Sequence, residues 1–347
     1  MPQAQHETDG LLVTAREADG IVRIQAMGPY RDLAPQFPDL PVTQWSGLCI
    51  APGFVDLHIH YPQTDVIGSP ADGLLPWLEH YTFPHEKQFS EPAYAHEVTA
   101  FFMDELMRHG VTTALCFATA HPESVDVFMA EAQKRRLRMV TGKVLQDRHS
   151  PDGLRDTDTA LSLRQTEELI RRWQDVDRLG YAITPRFAPT STPGQLAMAG
   201  RFMAEVPGLY MQTHVAENRA EVAWVAELFP EARSYLDVYA RHGLLGPRAV
   251  LAHGIWLDEA DRYMPQDHLT GLALLPLILS VRAGERSPAR IQRRAAPTLE
   301  RWLARLLEVT PSCAACAACP CRPGRRISRR SPRGSSPASS ASSASSV

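Results

Sequence analysis

From Ala51 to His253 the apolar residues fall into a repeating order: short apolar or β-branched runs alternate with stretches whose apolar positions recur at helical spacing. The first pattern marks strands and the second amphipathic helices. Strands are predicted at Ala51–His58, Val111–Phe117, Leu137–Leu145, Tyr181–Phe187, Gly208–Val215 and Pro247–His253. Helices are predicted at Ala93–His109, Pro122–Arg136, Leu161–Leu179, Pro193–Val206, Asn218–Phe229 and Ala232–His242. Gly110 and Gly180 stop two of them. A run of strand-then-helix units predicts a parallel sheet, either a barrel or a doubly wound fold.

The flanks read differently. Gly10-Leu11-Leu12-Val13, Ile21-Val22-Arg23-Ile24 and Leu48-Cys49-Ile50 are short apolar pieces between Gly- and Pro-containing turns. They predict strands of a small β layer over residues 1–50, too few for an independently stable sheet. Beyond Asp261 the α/β rhythm fails, and only Leu272–Val281 is apolar, without a clear period. Residues 311–347 are mostly Ser, Ala, Arg, Pro and Cys, a composition that buries no core and is expected to be disordered. The chain thus divides into 1–50, an α/β unit over 51–261, and a tail over 262–347.

The polar residues that interrupt the apolar runs carry the chemistry. His58 and His60 close the first strand of the α/β unit, and period-two alternation puts them on one face. Arg186, His214 and His253 sit at the C-terminal ends of three other predicted strands. In a (β/α)₈ barrel these ends converge on one face, where active sites form. A doubly wound sheet would spread them along an edge, so the pattern favours the barrel.

Each residue taken singly has a plainer reading. An HxH pair on a strand can be structural, and His253 before Gly254 can be a satisfied loop histidine. Glu217, three residues after His214, is either a proton carrier beside metal-bound water or an acid favoured by a helix N-terminus. Arg186 is either a surface arginine or a planar fork for a carbonyl or anionic heterocycle. Phe187 is either core or a stacking surface for a planar ring. Three strand-end histidine sites with an adjacent carboxylate point together to Zn²⁺ or Fe²⁺. Histidines 6, 80, 85, 96, 109, 121, 149, 242 and 268 fall on helices or loops and are read as ordinary.

Composition changes the picture mainly at the C-terminal end. Residues 1–261 carry 22 Lys+Arg against 35 Asp+Glu, a net of −13. Residues 262–347 carry 14 Arg, no Lys and 4 Asp+Glu, a net of +10. The arginines lack interleaved aromatics, so nucleic-acid binding is not expected. Cys313, Cys316, Cys319 and Cys321 imitate an iron–sulfur run, but the last spacing is wrong and no fold surrounds them. Cys49 and Cys116 read as isolated core thiols of a reducing compartment. The polar N-terminus is no signal peptide, and no apolar run reaches the ~18 residues of a membrane span. A cytoplasmic protein with no membrane association is therefore expected.

Five segments together resemble the amidohydrolase superfamily, and within it the guanine deaminase family. They are Pro52-Gly53-Phe54-Val55-Asp56-Leu57-His58-Ile59-His60-Tyr61-Pro62-Gln63, Gly73-Leu74-Leu75-Pro76-Trp77-Leu78, Pro185-Arg186-Phe187-Ala188-Pro189-Thr190-Ser191, Gln212-Thr213-His214-Val215-Ala216-Glu217-Asn218 and His253-Gly254-Ile255-Trp256-Leu257. The resemblance implies a (β/α)₈ TIM-type barrel, a β-sandwich of which residues 1–50 are part, and a homodimer. It implies one zinc per subunit, bound by His58, His60, His214 and His253. It implies that Gln63, Arg186 and Phe187 hold a purine, with His214 beside it, that Trp77 lines the pocket, and that Glu217 relays protons. The reaction implied is hydrolysis of guanine to xanthine and ammonia.

One part of the family pattern is missing. The family carries a Pro-Thr-Ser-Asn segment and a Gly-Thr-Asp strand end, whose Asp completes the metal shell and acts as base. Neither occurs after Asp261. The loss of Lys and the Arg/Ser/Ala/Pro bias resemble a GC-rich gene read out of frame from about residue 262. An incomplete barrel with impaired turnover is the expectation. The alternatives are an amidohydrolase deaminase or chlorohydrolase of another heteroaromatic ring, and a catalytically dead pseudoenzyme.

Overall fold

The computed structural model describes residues 6–262 and residues 269–273. Two N-terminal strands, β1 (Gly10–Arg16) and β2 (Val22–Pro29), form an antiparallel ribbon running from Gly10↔Pro29 to Arg16↔Val22. Gly20, at φ 78°, makes the turn that lets Glu17 N–H reach the Ile21 carbonyl. Leu48-Cys49-Ile50 does not form the third strand expected for this layer. Among the described residues no strand lies beside it, and Leu48 is 72% exposed. Cys49 is accordingly exposed rather than core, whereas Cys116 is buried, and both are free thiols.

The main sheet is parallel. Its strands are β3 (Phe54–His60), β4 (Val111–Phe117), β5 (Arg138–Thr141), β6 (Val144–Leu145), β7 (Gly180–Pro185), β8 (Tyr210–Val215), β9 (Gly246–His253) and β10 (Leu269–Ala273). They lie in the order β3-β4-β5-β7-β8-β9-β10, with β6 paired to β7 off this path. A doubly wound sheet reverses its strand order at a switch point. Here the order follows the chain throughout, as in the wall of a TIM-type barrel. Helices Pro92–Arg108, Pro122–Arg135, Thr159–Trp173, Pro193–Glu205 and Arg219–Leu228 lie between successive strands.

Three boundaries differ from expectation. The predicted strand Leu137–Leu145 is divided at Gly142-Lys143, where a Cβ on Gly142 would lie 1.9 Å from the Ala182 carbonyl oxygen. The helix predicted to reach Leu179 ends at Trp173, because Asp175 and Asp177 adopt φ of 60° and 53°. The sheet also continues past Asp261: β10 pairs with β9 through Gly271↔Val250, Leu272↔Leu251 and Ala273↔Ala252. Leu272 and Ala273 begin the ambiguous apolar run. The rest of that run, the cysteine cluster and the remainder of the 262–347 tail lie outside the described residues.

Packing follows the layers. One buried cluster draws a single residue from each of five strands: Leu115, Val140, Ala182, Tyr210 and Val250, with Leu57 against it. This is an interior layer of a barrel. A larger cluster, including Phe102, Met103, Phe128, Met129 and Leu169, joins the sheet's outer face to the helices. No helix of the described residues is long and apolar enough to cross a membrane.

Candidate functional site

Four histidines meet at the C-terminal end of the sheet. β3 delivers His58 and His60, β8 delivers His214, and β9 delivers His253. His58, His214 and His253 each bring one ring nitrogen into a group whose members all lie within 4.8 Å of one another. His60 joins through its Nε2, 3.0 Å from Nε2 of His214. The backbone around them is fixed locally. Asp56 Oδ1 accepts from the His58 N–H, and His253 holds φ 74°, a conformation that costs a non-glycine residue roughly 1 kcal/mol or more. The Gly254 and Trp256 N–H groups hold that turn against the Val215 and Ala216 carbonyls.

Burial sets the charge state. It pushes His58 down to about 3, with the neighbouring His253 contributing, and His253 down to about 4. His60 and His214 are held well below the ordinary imidazole value, mainly by desolvation. All four rings are therefore neutral near pH 7 and keep a nitrogen lone pair. For His214 the tautomer follows from its partner: Nδ1–H donates to the Arg186 carbonyl at 2.7 Å, leaving Nε2 to the cluster. Nδ1 of His60 is buried with no hydrogen-bond partner among the described residues. The neutral triad His58, His214 and His253 has the spacing and donor type to hold a divalent ion such as Zn²⁺ or Fe²⁺, with His60 beside it.

Glu217 stands beside this cluster, with Oε2 3.4 Å from Nε2 of His253. Its carboxyl is pushed up to about 7 by burial and then by Glu221, against the pull of Arg186. Glu217 immediately precedes the cap of the next helix. Asn218 caps the helix Arg219–Leu228, and Glu221 is the acid of the capping box. Oε2 of Glu221 accepts from the backbone N–H groups of both Glu217 and Asn218 at 3.1 Å.

The histidines form one wall of a cavity of about 440 Å³, also lined by Gln63, Trp77, Arg186, Phe187 and Glu217. Every site residue expected from the sequence therefore lines the same space. Arg186 is no surface residue: it is 3% exposed and its Nη1 donates to Oε2 of Glu86 at 2.7 Å. Phe187 is buried, presents to the cavity, and meets the Trp224 ring edge-on at 6.3 Å. Gln63 lies on the turn Tyr61–Val66 and Trp77 on the short helix Leu74–Trp77.

Three contributors carry no sequence signal. Phe117, at the end of β4, lies flat against His60 with ring centres 4.4 Å apart. Glu86 is fully buried against Arg186, yet sits in a stretch with no period to mark it. Tyr239 looks like a core aromatic of its helix, but its hydroxyl donates to the His214 carbonyl at 2.7 Å and accepts from the Ala188 N–H at 2.9 Å.

A parallel sheet that gathers imidazoles from the ends of three strands is a barrel-type site able to hold a metal ion. Residues 49–296 match the model of the amidohydrolase family, and the chain belongs to that family. It is 44% identical over 269 residues to guanine deaminase of Escherichia coli, covering 77% of this chain and 60% of that enzyme. The E. coli guanine deaminase structure superposes with a TM-score of 0.70 over 75% of this chain and 59% of that one. Guanine deaminase from C. acetobutylicum, solved with guanine bound in its active site, superposes with a TM-score of 0.66 at 30% identity, over 70% and 58% of the two chains. The chain thus spans about three-fifths of the length of these relatives.

Proposed function

We propose that this chain binds guanine and hydrolyses its exocyclic C2 amino group, giving xanthine and ammonia. The observation that carries the reading is the shared cavity: four neutral imidazoles and a carboxyl of raised pKa on one side, a buried arginine and a phenylalanine ring on the other. The proposed ion is one zinc, held by His58, His60, His214 and His253. When bound, such an ion lowers the pKa of a coordinated water to roughly 7. The chain's own residues do the rest. Arg186 and Gln63 offer N–H donors to the ring carbonyl and nitrogens, which fixes the purine's orientation. Phe187 and Trp77 give the flat ring an apolar wall and exclude water. A water adds at C2 and the C2–N bond breaks; Glu217 takes a proton from that water on its carboxylate and returns it to the departing amine, which leaves as ammonia.

The likeness to guanine deaminases supports guanine over other heteroaromatic rings. A homodimer in the cytoplasm belongs to the same proposal. Weak turnover is expected, because the only Asp after residue 261 is Asp267, which follows β9 too closely to be the acid of a later strand end. The test is to load the full chain with zinc and follow guanine loss and xanthine formation by absorbance, with guanine binding measured by calorimetry. Binding with slow conversion is the expected result. Absence of guanine binding by the zinc-loaded chain would overturn the substrate assignment, and turnover as fast as the E. coli enzyme would overturn the expectation of impairment.

A further inference from the structure

The pair Arg186–Glu86 has a consequence for what the cavity accepts. Arg186 is 3% exposed and Glu86 is 0% exposed, with 2.7 Å between Nη1 and Oε2. Taken from water alone, a guanidinium would make this wall strongly cationic and draw anions into it. Paired with a buried carboxylate, it keeps N–H donors and brings no net charge. The surroundings hold it in place: the guanidinium carbon lies 5.0 Å from the Phe83 ring centre, and Phe83 comes from the same short helix, Phe83–Glu86, as its partner. The pair joins the turn after β7 to the segment between β3 and the helix Pro92–Arg108, so it is the geometry of Glu86 that aims the donors of Arg186. Oε1 of Glu86 has no hydrogen-bond partner among the described residues. A buried carboxylate oxygen left unsatisfied is costly, and a purely structural ion pair would be expected to satisfy it.

We infer that Glu86 is a positioning and specificity-determining residue: by neutralising and aiming Arg186, it makes the cavity select an uncharged purine over an anionic one. The inference rests on the reading of the cavity as a purine site, and it is separable from guanine turnover.

The experiment compares binding of guanine and of urate, a purine that is a monoanion at neutral pH, to the zinc-loaded full chain and its variants by calorimetry. In Glu86→Gln the guanidinium keeps a hydrogen-bond acceptor but loses its counter-charge. Urate affinity is expected to rise by about tenfold or more and guanine affinity to fall, while Glu86→Asp keeps the wild-type preference. Unchanged urate affinity in a folded Glu86→Gln variant overturns the inference, whether or not the wild type binds guanine. Failure of the wild type to bind guanine, with urate affinity still rising in the variant, counts against the substrate and not against Glu86. If Glu86→Gln does not fold, the double variant Glu86→Gln/Arg186→Gln, with no unpaired charge, is expected to fold and to show no gain for urate. Misfolding of the double variant as well would make the pair structural and overturn the inference.

Discussion

At the scale of single residues, the site depends on side chains that reach between strands. The Tyr239 hydroxyl donates to the His214 carbonyl and accepts from both the Ala188 N–H and the Thr213 hydroxyl. It thereby ties the turn carrying Arg186 and Phe187 to the end of β8. Tyr239→Phe leaves a buried N–H without an acceptor and is expected to lower stability by about 1–3 kcal/mol. Urea unfolding checks this: the midpoint should fall with the slope unchanged, and an unaltered midpoint would show the hydroxyl to be dispensable. Gly142 is constrained from the other direction. A methyl there would meet the Ala182 oxygen at 1.9 Å, so Gly142→Ala should lose at least about 1–3 kcal/mol by overpacking. A melting temperature equal to wild type would contradict that contact.

At the scale of elements, local chemistry and tertiary contact can be separated. The helix Arg219–Leu228 begins on a capping box of Asn218 and Glu221. Asn218→Ala should cost about 1 kcal/mol, the usual worth of a cap. Glu221→Ala should cost more, because Glu221 is buried and its carboxylate also fixes the backbone N–H of Glu217. Chemical denaturation of the two variants orders them, and equal losses would mean that the cap alone matters. The apolar runs of the strands were legible from sequence because they depend on neighbours along the chain. So were the four histidines at the ends of those runs, and Glu217 three residues after His214. What was not legible came from distant contacts. The break at Gly142 depends on β7 lying against it, and Leu48-Cys49-Ile50 has no strand beside it among the described residues. β10 follows a stretch where the apolar period has been lost. Glu86 was hidden for the same reason: the region from Tyr61 to Ser90 folds into short helical turns too brief to show a period.

At the scale of the whole molecule, the histidine cluster couples stability to protons and to metal. In the metal-free protein His58 and His253 titrate at about 3 and about 4, against an unfolded imidazole near 6.5. Between those values the unfolded chain binds more protons than the folded one. Stability therefore holds above about pH 6.5 and declines as the pH falls toward 4. A divalent ion uses the same lone pairs that the protons would take. On the proposed reading, zinc should bind the folded arrangement, in which β3, β8 and β9 bring the rings together, better than the unfolded chain. At a hundredfold excess over its dissociation constant it should add about 2.7 kcal/mol. Two melting curves against pH, one with chelator and one with zinc, test the coupling. The zinc-loaded protein should melt higher near neutral pH, and the gap should first persist into mild acid and then close as protons displace the metal. His253→Ala removes a ligand and should shrink the gap at every pH. Superimposable curves with and without zinc would mean that the four imidazoles, although gathered at one point, do not hold an ion.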